Sequence, residues 1–193
     1  RALDAVLEAA PVQAPRERVR PDQLDQAVAH RPEAAPEERE LVRVPVARHG
    51  GQHAGVVDVL AEQLFARLLG RVAIRVQNPV RLLPRSEPQP DVVVARRRRD
   101  SYRSSHPTAE DTLLVIEVAD SSLHTDRAVK LPIYARQGIA EVWIVDLAAD
   151  AIHVHRDPTD GAYQSVSTTR AGDVLVPTQL PDVALAVADL LGL

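Results

Sequence analysis

The chain has 193 residues, 45% apolar and 26% charged, a globular composition of a size that forms one ordinary core but not two comfortable domains. A cysteine count of zero excludes disulfides and thiolate metal sites, and a formal net charge of −4 excludes indiscriminate nucleic-acid binding, which needs many phosphate-neutralising cations on one surface. No apolar run approaches the roughly 20 residues that cross a bilayer, and the N-terminus has no signal-peptide layout, so a cytoplasmic protein with no membrane partner is expected.

In chain order, residues 1–38 are rich in Ala, Pro, Glu and Arg, and Pro11, Pro15, Pro21, Pro32 and Pro36 interrupt any long element. An N-terminal arm with short helices is expected there, Asp22 to His30 foremost, followed by one domain over residues 39–193. Glu40 to Ala47 reads as a strand or hairpin ended by Gly50-Gly51. From His53 to Leu69 the residues Val57, Leu60, Leu64 and Leu68 recur at helical spacing, which predicts a helix with one buried stripe. Strands follow at Val72 to Gln77, Val80 to Leu83, Asp91 to Ala95 and Leu113 to Val118; the last two are runs apolar enough to be buried on both faces.

The pattern becomes helical from Thr125 to Gln137, with a kink expected at Pro132, which lacks a backbone donor, and with Gly138 as the C-terminal cap. Glu141 to Asp146, Ile152 to Arg156 and Ala162 to Thr168 alternate like strands of a meander, with a hairpin loop at Asp157 to Gly161. The fold class expected is α/β: a central mixed β-sheet flanked by helices. The core is aliphatic, since Phe and Trp occur once each.

Lys130 is the only lysine: the 23 Lys+Arg residues less this one leave 22 arginines. An ammonium is a compact point charge that fits beside a water or a metal ion, whereas a guanidinium is a broad fork suited to carboxylates and phosphates. Two acids upstream stand out. Pro-Asp occurs at 21–22, 90–91 and 181–182, but only Asp91 opens a valine-rich strand. Glu117 ends the apolar run Leu113-Leu114-Val115-Ile116, and burying an ionised carboxylate costs several kcal/mol unless a cation or donor meets it. Asp91 and Glu117 side by side, with the Val118 carbonyl between them, form an oxygen set suited to Mg²⁺ or Mn²⁺, with Lys130 in reach.

The runs Ser86-Glu87-Pro88-Gln89-Pro90-Asp91, Glu117-Val118-Ala119-Asp120-Ser121-Ser122, Asp126-Arg127, Lys130, Tyr134-Ala135, Gly138-Ile139 and Glu141-Val142-Trp143-Ile144-Val145-Asp146 together resemble the Uma2 family. These are bacterial proteins of the PD-(D/E)xK restriction-endonuclease-like superfamily. The resemblance covers about residues 40 to 190. It implies a restriction-endonuclease-like fold, metal ligation by Asp91 and Glu117, to which the Val118 carbonyl read above adds a third oxygen, Lys130 as the catalytic lysine, and a homodimeric metal-dependent endonuclease acting on DNA. In the commoner superfamily pattern the lysine follows the glutamate by two residues; Ala119 stands there, and the amine has moved to the next helix. His53 also matches a family position and its spacing to Val57 and Leu60 aims it at the sheet, which makes it a candidate catalytic residue. The chain departs from the family near Glu40, where Arg39 replaces the usual Tyr and Arg43-Val44-Pro45 replaces a Gly-containing turn.

Plainer roles stand beside these. Lys130 has Asp126 four residues before it, the spacing of a solvated helix salt bridge. Asp91 can simply start a strand, Glu117 can meet an arginine in the core, and His53 can be a buried or capping histidine. Arg96 to Arg99 with Arg103 form the one basic cluster, either tracking phosphates or keeping a loop solvated. His153 and His155 share a strand face and are expected at the surface, while Glu141 and Asp146 are expected to serve strand ends and turns. Three functions remain open: an endonuclease, a catalytically inactive nuclease-like domain that binds nucleic acid or a protein partner, and a phosphodiesterase for small nucleotides.

Overall fold

The computed structural model describes residues 50–82, 86–120 and 126–193. The expected arm, the Glu40 to Ala47 strand and Ser121-Ser122 lie outside these residues, as does the side chain of Asp126.

Six strands form one sheet in the order β1 (Val72–Val76), β2 (Val92–Arg96), β3 (Thr112–Ala119), β4 (Glu141–Asp146), β5 (Ala151–Thr159) and β6 (Ala162–Arg170). Only β3 and β4 run parallel; every other neighbouring pair is antiparallel, so the sheet is mixed. The one parallel step needs a crossover, and the segment from Asp126 to Arg136 lies within it. β3 and β4 are buried at every residue, as two-sided coverage of a central strand requires.

One face of the sheet carries Val92, Val94, Leu114, Ile116, Val118, Trp143, Val145 and Ile152, packed in one core with Val57, Leu60, Leu64 and Leu68 of α1 (Gly51–Leu68). The apolar stripe read at helical spacing is thus the buried face of that helix. The other face carries Val93, Val115, Val142 and Ile144, packed with Leu131 and Tyr134 of α2 (Leu131–Arg136) and with Ile139. Each fully buried aliphatic side chain on these faces contributes about 1.5–3 kcal/mol.

The sequence pattern and the structure differ at four places. The described part of the expected Val80 to Leu83 strand, residues 80–82, forms no strand; Arg81 and Leu82 make only isolated bridges, to Thr108 and Ser86, and Leu83 lies outside the described residues. The expected helix from Thr125 is instead a π-helical turn at Asp126–Lys130 that passes into α2. Pro132 accounts for the change, because it offers no N–H to the carbonyl four residues back and the preceding turn widens. Gly138 ends α2 as expected: its φ is +75°, and Ile139 N–H donates to Tyr134 C=O at 3.1 Å across it. The hairpin loop is two residues rather than five, since Asp160 and Gly161 both have positive φ (52° and 80°), as a type I′ turn requires, and β5 runs on to Thr159. Beyond β6, the short pair β7 (Val174–Leu175) and β8 (Leu185–Ala186) and helix α3 (Val187–Leu191) close the first core; no element is assigned there from the sequence.

Candidate active site

Asp91 stands one residue before β2. Val92 pairs with Ile116, so the antiparallel register brings Asp91 level with Glu117 on β3. Asp91 is 5% exposed and Glu117 1% exposed. Two buried acids at this spacing need donors, and each has them.

Asp91 Oδ2 accepts the backbone N–H of Val118 at 2.8 Å and lies 3.2 Å from His53 Nε2. The N–H and C=O of one strand residue point to the same neighbouring strand, so the Val118 carbonyl is turned toward β2 as well. His53 lies in the first turn of α1, buried to 1% exposure. Glu117 Oε2 accepts from Lys130 Nζ at 2.8 Å, and Oε1 accepts from the Tyr134 hydroxyl at 2.6 Å. Both donors come from the crossover: Lys130 ends the π-helical turn, and Tyr134 sits four residues on, in α2.

The four residues singled out from the sequence, His53, Asp91, Glu117 and Lys130, therefore meet at one end of the sheet. Lys130 is more than a solvated surface cation, since its ammonium meets Glu117 with 16% of its side chain exposed; the Asp126 side chain lies outside the described residues. The lysine gives Glu117 the cation that its burial calls for. His53 touches Asp91, which makes it a positioning residue for that carboxylate rather than a group standing in the site alone. Tyr134 is the residue that sequence reasoning missed. It stands among the family-like residues without a role of its own, and the signal that marks it is its place one helical turn after the lone lysine.

Among the described residues no three His, Asp or Glu side chains converge closely enough to hold an ion by themselves. A divalent ion here would draw on Asp91, Glu117, the Val118 carbonyl and water or substrate oxygen. That all-oxygen set suits Mg²⁺ and Mn²⁺, and Asp91, whose two contacts both fall on Oδ2, keeps the lone pairs of Oδ1 for a metal.

The other residues read from the sequence are placed as follows. Arg96 closes β2 at the end opposite Asp91, roughly 16 Å away at about 3.3 Å per residue. Arg96 Nε donates to the Glu110 carbonyl at 3.3 Å, Arg97 donates to the Gly70 carbonyl, and Arg98 pairs with Asp100 at 3.1 Å. Arg75 and Arg98 lie 5.6 and 4.9 Å from the Tyr102 ring centre, and the Tyr102 hydroxyl donates to Arg96 C=O at 2.6 Å. Burial raises the Tyr102 pKa, so the ring stays neutral beneath the two guanidinium groups. The first three arginines of the cluster staple a loop and do not line the carboxylate site.

His153 and His155 share a sheet face as expected, but they are not surface residues. His155 is 7% exposed, and burial first, with the neighbouring His153 and Arg127 charges next, lowers its pKa to about 4. His153 lies 3.3 Å from Asp146 Oδ2 and 2.9 Å from Thr168 Oγ1. Asp146 also accepts from Ala149 N–H in the turn after β4, as a strand-end acid does. Glu141 has a larger task than a strand end: fully buried, it accepts from Trp143 Nε1 at 2.6 Å, Arg156 at 2.8 Å and Thr178 N–H at 2.7 Å, tying the C-terminal segment to β4 and β5.

No curated protein matches this chain. Among solved structures it is similar to a crystal structure of "a putative nuclease belonging to DUF820" from Anabaena variabilis ATCC 29413, with a TM-score of 0.62 and 14% identity, covering 77% of this chain and 85% of that one. At that identity the likeness establishes a common fold, so the mixed sheet with its flanking helices is the nuclease-like α/β architecture expected from the sequence. The Uma2 model, described as "Putative restriction endonuclease", matches residues 30–188. With the match spanning most of its length, the chain belongs to the Uma2 family.

Proposed function

We propose that this protein hydrolyses phosphodiester bonds as a divalent-metal-dependent endonuclease, with DNA as substrate and Mg²⁺ or Mn²⁺ as the ion. The observation that carries this reading is the convergence of the only lysine of the chain on Glu117, level with Asp91, from an element 13 residues downstream. An ion held by Asp91, Glu117 and the Val118 carbonyl would supply Lewis-acid polarisation of the phosphate and lower the pKa of water.

The rest falls to the chain's own groups. Asp91 is held by the Val118 N–H and by His53, and Glu117 by Tyr134, so the two carboxylates are oriented before substrate arrives. Lys130 places its ammonium at the mouth of the buried acids, where it orients the attacking water and offsets negative charge developing on the phosphate. An amine does this with a small head that leaves room for water; a guanidinium does not. The protein acts as a homodimer, one site for each DNA strand, in the cytoplasm. No helix among the described residues is long and apolar enough to cross a membrane.

A second reading, an inactive nuclease-like domain that binds nucleic acid or a protein partner, is favoured by the net charge of −4 and by the internal bonds of Arg96, Arg97 and Arg98. Plasmid DNA incubated with the protein and Mg²⁺ or Mn²⁺ separates the two. The endonuclease reading expects nicking or linearisation that EDTA, Asp91→Ala and Lys130→Arg each abolish. Binding without cutting supports the second reading, and equal cutting by Asp91→Ala refutes the first.

A further inference from the structure

β6 is the outermost strand of the sheet and pairs only with β5. Every residue from Ala162 to Arg170 is exposed or half-buried, and Val166 at its middle is 58% exposed. The ladder that runs across the sheet sets which backbone groups face out. Leu147 N–H donates to Ala119 C=O, so Val142, Ile144 and Asp146 of β4 turn to β5 and bond His155, His153 and Ala151. Ile152, Val154 and Arg156 then turn to β6 and bond Thr169, Ser167 and Ser165, so Gln164, Val166 and Thr168 direct N–H and C=O outward. Among the described residues no turn or loop backbone group bonds these three.

An open edge of this length is normally blunted by lysine, proline, a bulge or a covering element. Here the run Ala-Tyr-Gln-Ser-Val-Ser-Thr-Thr-Arg has no proline or lysine and one charge, at its end, and its pairing with β5 shows no register shift.

We propose that β6 is a homodimerisation edge: two copies pair β6 to β6, antiparallel, about a two-fold axis through Ser165. The charges select this register. Arg170 and Asp160 are exposed at opposite ends of the edge, and neither side chain has an ion-pair partner among the described residues. Pairing through Ser165 sets Arg170 of one copy opposite Asp160 of the other, twice. It also sets Gln164 opposite Val166 and Tyr163 opposite Ser167, so the hydroxyl and amide side chains of the strand meet one another across the seam. One strand per copy is a small interface against the ~1,200–2,000 Å² of a standard one, so the dimer is concentration-dependent. The seam lies three strands from β3 and does not rest on the nuclease reading.

The absence of cysteine makes the test direct. Sedimentation velocity over a concentration series is expected to show a reversible monomer–dimer equilibrium. Ser165→Cys is expected to form a disulfide-linked dimer on mild oxidation, and Gln164→Cys mixed with Val166→Cys is expected to form mainly the mixed disulfide rather than either homodimer. Val166→Pro removes an outward N–H and leaves the β5 ladder intact, and it is expected to weaken association at least tenfold. A monomer at every concentration overturns the proposal. So does a dimer in which the cysteine pairs crosslink at random, or one that a folded Val166→Pro leaves unchanged. Should the proline variant fail to fold, the cysteine pattern alone decides.

Discussion

Replacing Lys130 by Met removes the cation from a buried carboxylate while keeping most of the stem that packs beside it. Glu117 is 2% exposed at its side chain and Lys130 16%, with 2.8 Å between the charged atoms. Stripping one partner from a buried pair costs about 3–5 kcal/mol. The opening at Lys130 admits water, and Tyr134 keeps its bond to Oε1, so a cost at or below the bottom of that range, about 2–3 kcal/mol, is expected here. For a domain of this size that is a fall in Tm of about 4–12 °C. The single tryptophan, Trp143, is fully buried in β4 and serves as the fluorescence probe for urea unfolding. Glu117→Gln combined with Lys130→Met removes both charges and is expected to return to within about 1 kcal/mol of the parent, a coupling larger than that of exposed pairs, which is about 0.2–1 kcal/mol. The double variant recovers stability but not cleavage. A Lys130→Met protein as stable as the parent, or a double variant with no recovery, would refute the account of the pair as buried and coupled.

Lys130→Arg keeps a cation for Glu117 and is expected to unfold within about 1 kcal/mol of the parent yet cut DNA at background rate, measured on supercoiled plasmid. Tyr134→Phe deletes one hydroxyl in a fully buried position and is expected to raise the Mn²⁺ concentration needed for half-maximal cleavage by about 10–100-fold, with near-native unfolding. The folded pKa of His155 is depressed from 6.5 to about 4, so the unfolded state binds the extra proton between those values; stability is full above pH 6.5 and falls as pH drops toward 4, by up to about 3 kcal/mol at 1.36 kcal/mol per unit. Urea midpoints at pH 7 and pH 4.5 check this, and His155→Gln is expected to flatten that part of the difference. Glu141→Gln keeps the side chain's shape but loses the charge that Arg156 and Thr178 N–H meet, and is expected to cost about 2 kcal/mol and to shift Trp143 emission.

Much of the site was legible because burial leaves a mark in the residues themselves. A glutamate ending Leu113-Leu114-Val115-Ile116 must meet a donor, and a lone lysine among arginines has a reason to be there; both inferences rest on the cost of desolvating charge, which acts wherever the chain goes. Helix α1 and strands β2, β3 and β4 were likewise legible, because two-sided or one-sided burial imposes its period on the sequence. The Val80 to Leu83 run misled for a related reason: valine and leucine mark burial, and Val80 and Leu82 are buried, but a strand also needs a neighbour to pair with. His153 and His155 misled in the other direction, since a polar side chain is buried only where neighbours lie over it, and neighbours are set by packing.

What the amino-acid order determined by itself was the inventory: an aliphatic two-sided sheet, two acids that had to be buried and compensated, and a single amine. What only the tertiary structure decided was who meets whom. The antiparallel step that levels Asp91 with Glu117, the widened turn before Pro132 that delivers Lys130 and Tyr134 to the two oxygens of one carboxylate, and the approach of His53 to Asp91 all join residues distant in sequence. Local propensities are properties of neighbouring residues, whereas register and contact come from the minimum of the whole packed chain, and the chemistry of this site lies in those contacts.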